Sequence, residues 1–439
     1  MTSPEPRRAP FKQLTGLLLF LLAGGEAAAG ILHVPDPYTT IGFALSVAPP
    51  GDTVLVACGT YQESNMIMRT GVCLLSETGE PDCVVIDGQL AGHPILHCIN
   101  VDAQTRIEGI TFTNGGGYNY TPYEGGAIYA RNADLTIENC RFYQNKGGTK
   151  GGGIYFEDSE PTLIDCVFEG NFAEFGAEPW GDGGALYVTG SSLSITGCRF
   201  EENRALGVAG VVYAYDSAIG IANSVFESNT VVNSNGGALW ISCSTLSLAN
   251  TSFDRNESIG AGGGAIYAHS SELNAITCTF SMNEGVVNTS SAVDLHAGQG
   301  SFSNSTFYAA FSMYNPGYLV GTSSTTHTEF ESCLFVIGEN EVALQCIGGA
   351  THSFTCCNIY RESGGAWEDC YAGDLGVNGN ISADPQFCGV YGSGNLYLQS
   401  DSPCAPENND CGVQIGAWPV NCGETSARHR TWSAVKALY

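Results

Sequence analysis

Aromatic and acidic residues gather in three short stretches that interrupt an otherwise regular sequence, at residues 115–124, 146–151 and 172–182. The candidate binding residues there are Tyr118, Tyr120, Tyr123, Phe175, Glu178, Trp180 and Asp182. A sugar ring offers an apolar face and a rim of hydroxyl groups, which suit an aromatic ring and a carboxylate respectively. The pattern therefore favours carbohydrate binding. Aromatic residues that only pack loops against the molecule would give the same composition.

The rest of the chain repeats with a period of about 27 residues. Each repeat opens on Gly-Gly-Ala-Ile-Tyr or a close variant, as at residues 125–129, and closes on Phe-x-x-Asn. The marking residues are Phe112, Phe142, Phe168, Phe200, Phe226, Phe253, Phe280, Phe307 and Phe335, spaced 26 to 32 residues apart. A nearly constant period of this length indicates a solenoid.

Within one repeat the apolar residues alternate, which predicts strands. Leu135 and Ile137 share one face and Cys140 and Phe142 share one face, but the two pairs are out of phase at Asn139. A sharp turn there lets all four side chains point inward. The equivalent positions favour such a turn, because most of them tolerate left-handed backbone angles or bond to their own turn: Asn139, Asp165, Gly197, Asn223, Asn250, Thr277, Asn304 and Ser332.

These features predict an all-β fold, a right-handed parallel β-helix with three strands per coil of about 27 residues. Like residues of successive coils should then stack at roughly 4.8 Å, forming ladders of phenylalanine, leucine or isoleucine, and asparagine. Residues 38–48 read as a short amphipathic helix stopped by Pro49 and Pro50. We predict that this helix caps the exposed N-terminal end of the solenoid.

The first residues predict export. Arg7, Arg8 and Lys12 precede an apolar stretch from Leu14 to Ala23 and an Ala-x-Ala cleavage pattern. The apolar stretch is too short to span a bilayer. We therefore predict a signal peptide at residues 1–29, a secreted or surface-exposed mature chain, and no transmembrane segment once the signal is removed.

All 18 cysteines follow that segment, where an oxidising compartment would preserve disulfides. Five lie two residues before a repeat phenylalanine: Cys140, Cys166, Cys198, Cys278 and Cys333. Serine or threonine takes this position in other coils, so we predict an inward slot without metal, although stacked neighbours would lie within disulfide range. Eight more predict a disulfide-rich C-terminal cap: Cys346, Cys356, Cys357, Cys370, Cys388, Cys404, Cys411 and Cys422. Their spacing is not that of a zinc site.

The formal charge is −28, and charged residues make up only 14% of the chain against about 25% in ordinary domains. So negative a surface argues against nucleic acid and anionic lipid as partners. Extracellular polysaccharide or another surface protein remains compatible with it. We expect no cofactor, with calcium as the one open possibility.

The segment around residues 51–63, Gly-Asp-Thr-Val-Leu-Val-Ala-Cys-Gly-Thr-Tyr-Gln-Glu, and the later Val-Val-Ile-Asp-Gly resemble the start of bacterial secreted β-helix proteins of the pectin-lyase-like superfamily. The Gly-Gly-Ala-Ile/Leu and Phe-x-x-Asn pairs are similar to motifs of chlamydial polymorphic outer membrane proteins. Residues 383–418 resemble the closing segment of the same bacterial family. The domain prediction is a signal peptide (1–29), a β-helix with its N-terminal cap (30–382), a C-terminal cap (383–423) and a tail (424–439).

The resemblance implies a fold more firmly than a function, because this superfamily includes lyases, hydrolases and adhesins. Lyase chemistry on a β-helix needs acidic calcium ligands and a basic residue as the proton acceptor. Hydrolase chemistry needs two or three carboxylates converging on one face. The sequence offers no recognisable catalytic phrase, and Glu157, Asp158, Glu160, Asp216 and Asp294 are spread over several coils.

Two hypotheses follow. The first is a secreted or cell-surface protein of non-catalytic, adhesin-like or scaffold type that binds carbohydrate. The alternative is a polysaccharide lyase or glycoside hydrolase of the pectate-lyase type.

Overall fold

The computed structural model describes residues 29–116, 125–174, 181–286, 289–309, 317–323, 325–389 and 395–422. These residues wind into a parallel β-helix with three long sheets, here called A, B and C, and a short fourth sheet, D. All registered pairs of strands in the four sheets are parallel, as between residues 141–143 and 167–169. The predicted right-handed parallel β-helix is confirmed.

Sheet A has 13 described strands: Ile31–Val34, Thr53–Val56, Cys73–Ser76, Arg106–Glu108, Thr136–Glu138, Thr162–Ile164, Ser192–Thr196, Ala218–Ala222, Thr245–Ala249, Glu272–Ile276, Gln299–Ser303, His327–Glu331 and Thr351–Thr355. Sheet B has 12: Gly59–Tyr61, Val84–Asp87, Ile110–Thr113, Arg141–Tyr143, Val167–Glu169, Arg199–Glu201, Val225–Glu227, Ser252–Asp254, Thr279–Ser281, Thr306–Tyr308, Leu334–Val336 and Asn358–Tyr360.

Sheet C has 11 described strands: Met66–Ile67, Leu96–Val101, Ile128–Ala133, Ile154–Glu157, Leu186–Thr189, Val212–Tyr215, Leu239–Ser242, Ile266–His269, Ser290–His296, Tyr318–Thr322 and Val342–Leu344. Sheet D has five: Lys146–Gly147, Phe172–Ala173, Arg204–Ala205, Thr230–Val231 and Glu257–Ser258. A complete coil in this region therefore runs in the order C, A, B, D. The two-residue strands of sheet D are too short to give a periodic signal in the sequence.

The turn from sheet A to sheet B has the predicted left-handed backbone. All eight residues at the predicted position have a positive φ, including 48° at Asn139, 68° at Gly197 and 56° at Thr277. The turn brings the two out-of-phase strands onto one core, so that Leu135, Ile137, Cys140 and Phe142 are all buried. The repeat phenylalanines stack with ring centroids 4.6–5.3 Å apart, as the coil rise predicts.

A second ladder runs along the corner between sheets B and D. Its members are fully or almost fully buried: Asn145, Asn171, Asn203, Asn229, Asn256 and Asn283. In each step from Asn145 to Asn256, the side-chain oxygen of the next asparagine accepts from both the backbone and the side-chain N–H of the one before it. The amides thus satisfy the backbone of a corner that has no strand partner.

The α-helix Ile41–Val47 covers the N-terminal end, as predicted, and is shorter than residues 38–48 because Thr40 caps it. Ile41, Ala44 and Leu45 are the buried residues of this helix. This seven-residue helix is the longest among the described residues, and none of them forms a helix that could cross a bilayer, which takes about 20 residues.

The C-terminal residues cover a side of the solenoid. Tyr308, Leu334 and Val336, on the outer face of sheet B, pack with Leu398, Ile415 and other residues of the segment 395–422. The Trp418 Nε1–H donates to Thr279 Oγ1 at 2.9 Å. A 3₁₀ helix, Asp369–Asp374, places Tyr371 against Phe354 near the last coil. A second one spans Pro406–Asn408.

Four disulfides are formed, Cys58–Cys83, Cys346–Cys370, Cys356–Cys411 and Cys388–Cys422. Three of them join six of the eight C-terminal cysteines, in agreement with a disulfide-rich C-terminal region, whereas Cys357 and Cys404 are buried thiols. The five cysteines of the inward slot are buried thiols. They are spaced for hydrogen bonding within the ladder, since the Cys166 N–H donates to Cys198 Sγ at 3.4 Å.

Candidate functional site

Most of the predicted binding residues fall on insertions that the described ranges do not include. Tyr118, Tyr120, Tyr123, Phe175, Glu178 and Trp180 lie outside the described residues, and their role stays a prediction. Asp182 is described, at the point where the third insertion returns to the solenoid next to sheet C. The neighbouring outer face of sheet C carries a feature that the insertion argument missed.

An unbroken column of aromatic residues runs along the outer face of sheet C. The residue after the inward aliphatic side chain of each strand lies in register with its counterpart in the next coil: Tyr129, Tyr155, Tyr187, Tyr213, Trp240 and Tyr267. We call these six residues the aromatic column. The clue was present in the sequence, as the final residue of each Gly-Gly-Ala-Ile-Tyr phrase.

The rings of the aromatic column stack on each other. Centroids of successive rings are 4.3–6.1 Å apart and their planes differ by 3–16°. The rings stack along the solenoid axis at about the coil rise, so both faces of each interior ring are in contact with the neighbouring rings. What the column presents outward is ring edges and their polar atoms, three tyrosine hydroxyls and the Trp240 N–H from Tyr187 onward. These four side chains are half-buried, whereas Tyr155 is only 2% exposed.

Charged groups flank the column on the side of the insertions. Lys150 and Asp182 precede the Gly-Gly turns of neighbouring coils, and their backbones form an isolated parallel β-bridge. The Lys150 ammonium lies 5.6 Å from the ring centroid of Tyr155 and 5.2 Å from that of Tyr187. The Val208 N–H donates to Asp182 Oδ1 at 3.0 Å. A cation, a carboxylate and phenol hydroxyls therefore meet at one edge of the column.

Burial raises the pKa of Asp182 from 3.8 to about 6, against the opposing effects of the Val208 N–H and Lys150. The folded state then binds its proton more tightly than the unfolded chain, so this group makes folding less favourable as pH rises from about 4 to 6. Burial also raises the pKa of Tyr187, and the neighbouring Tyr213 and Asp182 add to the rise. A carboxylate kept at a cost to stability is a common property of functional sites.

The far end of the column holds an acid–base cluster. Asp294 takes the next position in the column after Tyr267, and His296 lies two residues further on the same face. His296 Nε2 and Asp294 Oδ1 are 3.0 Å apart, with 40% and 14% of the respective side chains exposed. The His296 ring centroid is 5.2 Å from that of Tyr267. His269 and His296 are paired in register on neighbouring strands of sheet C.

Two glycines make room for the Asp294 carboxylate. A Cβ atom at Gly262 would lie 2.4 Å from Asp294 Oδ2, and one at Gly321 would lie 2.8 Å from Oδ1. Non-bonded heavy atoms do not approach so closely, so larger residues at either position would displace the carboxylate. The arrangement provides a shaped position for one acidic group on the outer face.

The hydrogen bond with Asp294 raises the pKa of His296 above its ordinary 6.5, and the charge of Asp294 adds to this, while burial opposes it. The stabilisation from this pair is therefore present below pH 6.5 and is lost as pH rises through the raised pKa.

We expect Asp294→Asn to lower the pKa of His296, because burial then acts with no charge to oppose it. An NMR titration of the histidine ring protons measures this, with Asp216→Asn as control. An unchanged pKa in Asp294→Asn would contradict the pairing.

The other carboxylates considered from the sequence do not converge. Glu157 is on the outer face of sheet C, whereas Asp158 and Asp216 occupy the following turn, two coils apart, with φ of 48° and 49°. Asp294 lies three coils beyond Asp216. Arg141 and Arg199 point outward from sheet B and pair with glutamates. Within the described ranges the one group spaced like a metal site is Cys58, Glu77 and Cys83, whose cysteines form a disulfide.

Comparison with known families gives a clear assignment. The family described as right handed beta helix region matches residues 97–200 and 184–359, which together make up more than half of the chain. The chain belongs to this family. Its matched region includes the whole aromatic column, Asp182 and the Asp294–His296 pair.

A stretch of 106 residues is 34% identical to metabotropic glutamate receptor-like protein R of Dictyostelium discoideum, covering 24% of this chain and 6% of that protein. The similar solved structures include pectate lyase Pel9A, with 13% identity, TM-score 0.40, and coverage of 90% of this chain and 97% of the other. The PL6 family alginate lyase AlyGC has 12% identity, TM-score 0.40, and coverage of 89% and 57%. The mannuronan C-5 epimerase AlgE4 A-module of Azotobacter vinelandii has 12% identity and a TM-score of 0.33, with coverage of 68% of this chain and 90% of the other.

Proposed function

We propose that this protein binds a glycan along the outer face of sheet C and does so as a non-catalytic binding protein outside the cytoplasm. The observation that carries the proposal is the aromatic column, six stacked side chains of which the last four, from Tyr187 to Tyr267, present their polar edges in a row along the solenoid. Each coil adds one residue to this row, so the row offers a periodic surface to a periodic polymer. The four disulfides support the location, because such bonds persist mainly in oxidising compartments.

Recognition in this proposal relies on hydrogen bonds more than on sugar–ring stacking. The interior rings have no free face, so the polar groups on their edges make the contacts. These are the hydroxyls of Tyr187 and Tyr213, which also hydrogen-bond to each other, the Tyr267 hydroxyl and the Trp240 N–H. Each such bond is worth about 0.5–1.5 kcal/mol net. Asp182 and Asp294 accept strongly from sugar hydroxyls at two points along the row. The affinity is then the sum of several modest contacts that one extended glycan makes together.

The test removes hydroxyls while keeping the rings stacked. We expect the triple variant Tyr187→Phe/Tyr213→Phe/Tyr267→Phe to lose roughly a hundredfold in affinity, because three bonds at about 1 kcal/mol each amount to about 3 kcal/mol. Binding is screened on an array of neutral, amino and acidic oligosaccharides and quantified by calorimetry on the tightest. Tyr143→Phe, on sheet B, is the matched control. We also propose that binding needs no metal cofactor, so EDTA should leave the affinity unchanged. Equal affinities of the triple variant and wild type would refute the proposal.

A second candidate function is catalysis on the bound glycan, as in a polysaccharide lyase or glycoside hydrolase. The specific observation in its favour is the Tyr267–Asp294–His296 cluster, which places an imidazole with a raised pKa beside a phenol at the end of the binding row. Each glycan that the wild type retains is incubated with wild type and with His296→Gln, with and without calcium, and products are followed by mass spectrometry. Products from the wild type alone would favour an enzyme, and intact glycan would exclude it.

A further inference from the structure

A second outward surface, on sheet D and its corner with sheet B, carries two cationic side chains beside a groove. Lys146, Phe172 and Arg204 occupy one position in three successive strands of sheet D. Gln144, Gly170 and Glu202 occupy the adjoining turn, each with a positive φ. An open groove of about 330 Å³ lies between the two rows. We call it the sheet D groove.

Two cations line this groove in a chain with a net charge of −28. Arg106, Arg141, Arg199, Arg255 and Arg361 are each engaged in ion pairs with glutamates or aspartates. Arg204 is instead exposed and lies with its guanidinium carbon 5.7 Å from the ring centroid of Phe172. Lys146 and Arg204 are two strands apart, about 10 Å along the axis, with the Phe172 ring between them.

We propose that the sheet D groove binds an anionic sugar residue, one that carries a carboxylate or a sulfate group. Lys146 and Arg204 supply the charge for the anionic group, and Arg204 can contact it through two N–H groups at once. Gly170 has no side chain, which opens the groove above Phe172 between Gln144 and Glu202. The Gln144 amide and the Glu202 carboxylate are then in place for sugar hydroxyls.

The acidic residue in the groove separates a sugar from a simple ion. Glu202 repels any anion, so a bare sulfate or phosphate would bind poorly beside it. A sugar ring compensates by donating hydroxyl protons to Glu202 while its anionic group reaches the cations. Long-range repulsion by the rest of the chain is largely screened beyond about 8 Å at physiological salt, so the two nearby cations dominate at contact distance.

This site is separate from the sheet C face and does not rest on the function proposed there. It is tested by electrophoresis of the full chain in native gels that contain polygalacturonate, dextran sulfate or neutral dextran, each at physiological ionic strength. Retardation in polygalacturonate identifies a carboxylate ligand and retardation in dextran sulfate a sulfate ligand. Sheet C variants report on the other proposal, because the triple tyrosine variant leaves the sheet D groove intact.

We expect the wild type to be retarded in one of the anionic gels and not in dextran. Lys146→Gln and Arg204→Gln should each weaken binding about fivefold, and the double variant should abolish retardation. Glu202→Gln should strengthen it roughly threefold, because a repulsive charge is removed. Arg141→Gln, outward on sheet B and paired with Glu169, is the matched control. No retardation of the wild type in either anionic gel, or equal retardation of the double variant, would overturn the proposal.

Discussion

Replacing Asn203 with leucine is expected to destabilise the solenoid by about 4 kcal/mol or more. Asn203 is fully buried, and its side-chain oxygen accepts from the Asn171 backbone N–H at 3.0 Å and from Asn171 Nδ2 at 2.9 Å. Its own Nδ2 donates to the Phe168 carbonyl at 2.9 Å and to Asn229 Oδ1 at 3.0 Å. Leucine fills a similar volume but makes none of these four bonds. Asn229 Oδ1 keeps the backbone N–H of residue 203, whereas the Asn171 N–H groups and the Phe168 carbonyl lose the Asn203 side chain as a partner, at about 1–3 kcal/mol for each that cannot relax.

Urea denaturation followed by circular dichroism measures this loss. Asn274→Leu is the matched control, because Asn274 is on the outer face of sheet A, and its change should stay within about 0.5 kcal/mol. The midpoint and the slope are compared together, since a solenoid can lose coils in steps and would then show a reduced slope. A loss below 1 kcal/mol for Asn203→Leu would show that the ladder contributes little.

Breaking the Cys356–Cys411 disulfide is expected to cost about 4 kcal/mol and to release the C-terminal segment from sheet B. The bond joins residues 55 apart, and the constraint it places on the unfolded chain grows with the length of that loop. The variant is Cys356→Ser/Cys411→Ser. Limited proteolysis should then cleave between residues 395 and 422, where Trp418 and Ile415 hold the segment down.

Cys243→Ser is the control for this variant, because Cys243 is an exposed thiol outside any disulfide. It should match the wild type in both stability and protease resistance. A double variant as resistant as the wild type would show that packing alone holds the C-terminal segment in place.

The sequence was informative where one residue type has one geometric role. The phenylalanine spacing predicted a stacked core, and Asn139 with its equivalents predicted a left-handed turn, because few residues tolerate positive φ. The two-residue strands of sheet D were missed, since a pattern of two residues has no period. The place of the C-terminal segment was also beyond prediction, because Cys356 and Cys411 pair through tertiary contacts that cysteine spacing does not encode.

The candidate site was only partly predictable. Tyr187 and Tyr213 alternate with inward aliphatic residues, but the stacking that hides their faces and exposes their edges depends on the coil rise and the registers. Asp182 was chosen from its insertion, and the structure adds its contacts with Val208 and Lys150. The Asp294–His296 pair was missed because two residues that alternate on a strand show their shared face only when the strand is assigned.

The central proposal is that a glycan lies along the aromatic column of sheet C. Its most direct test is a crystal structure of the full chain with the oligosaccharide that binds tightest on the array. The predicted result is sugar density along the outer face of sheet C, with hydroxyls within hydrogen-bonding distance of Tyr187, Tyr213 and Tyr267 and of Asp182 or Asp294. Sugar density confined to sheet A or sheet B, with the aromatic column in contact with water alone, would contradict it.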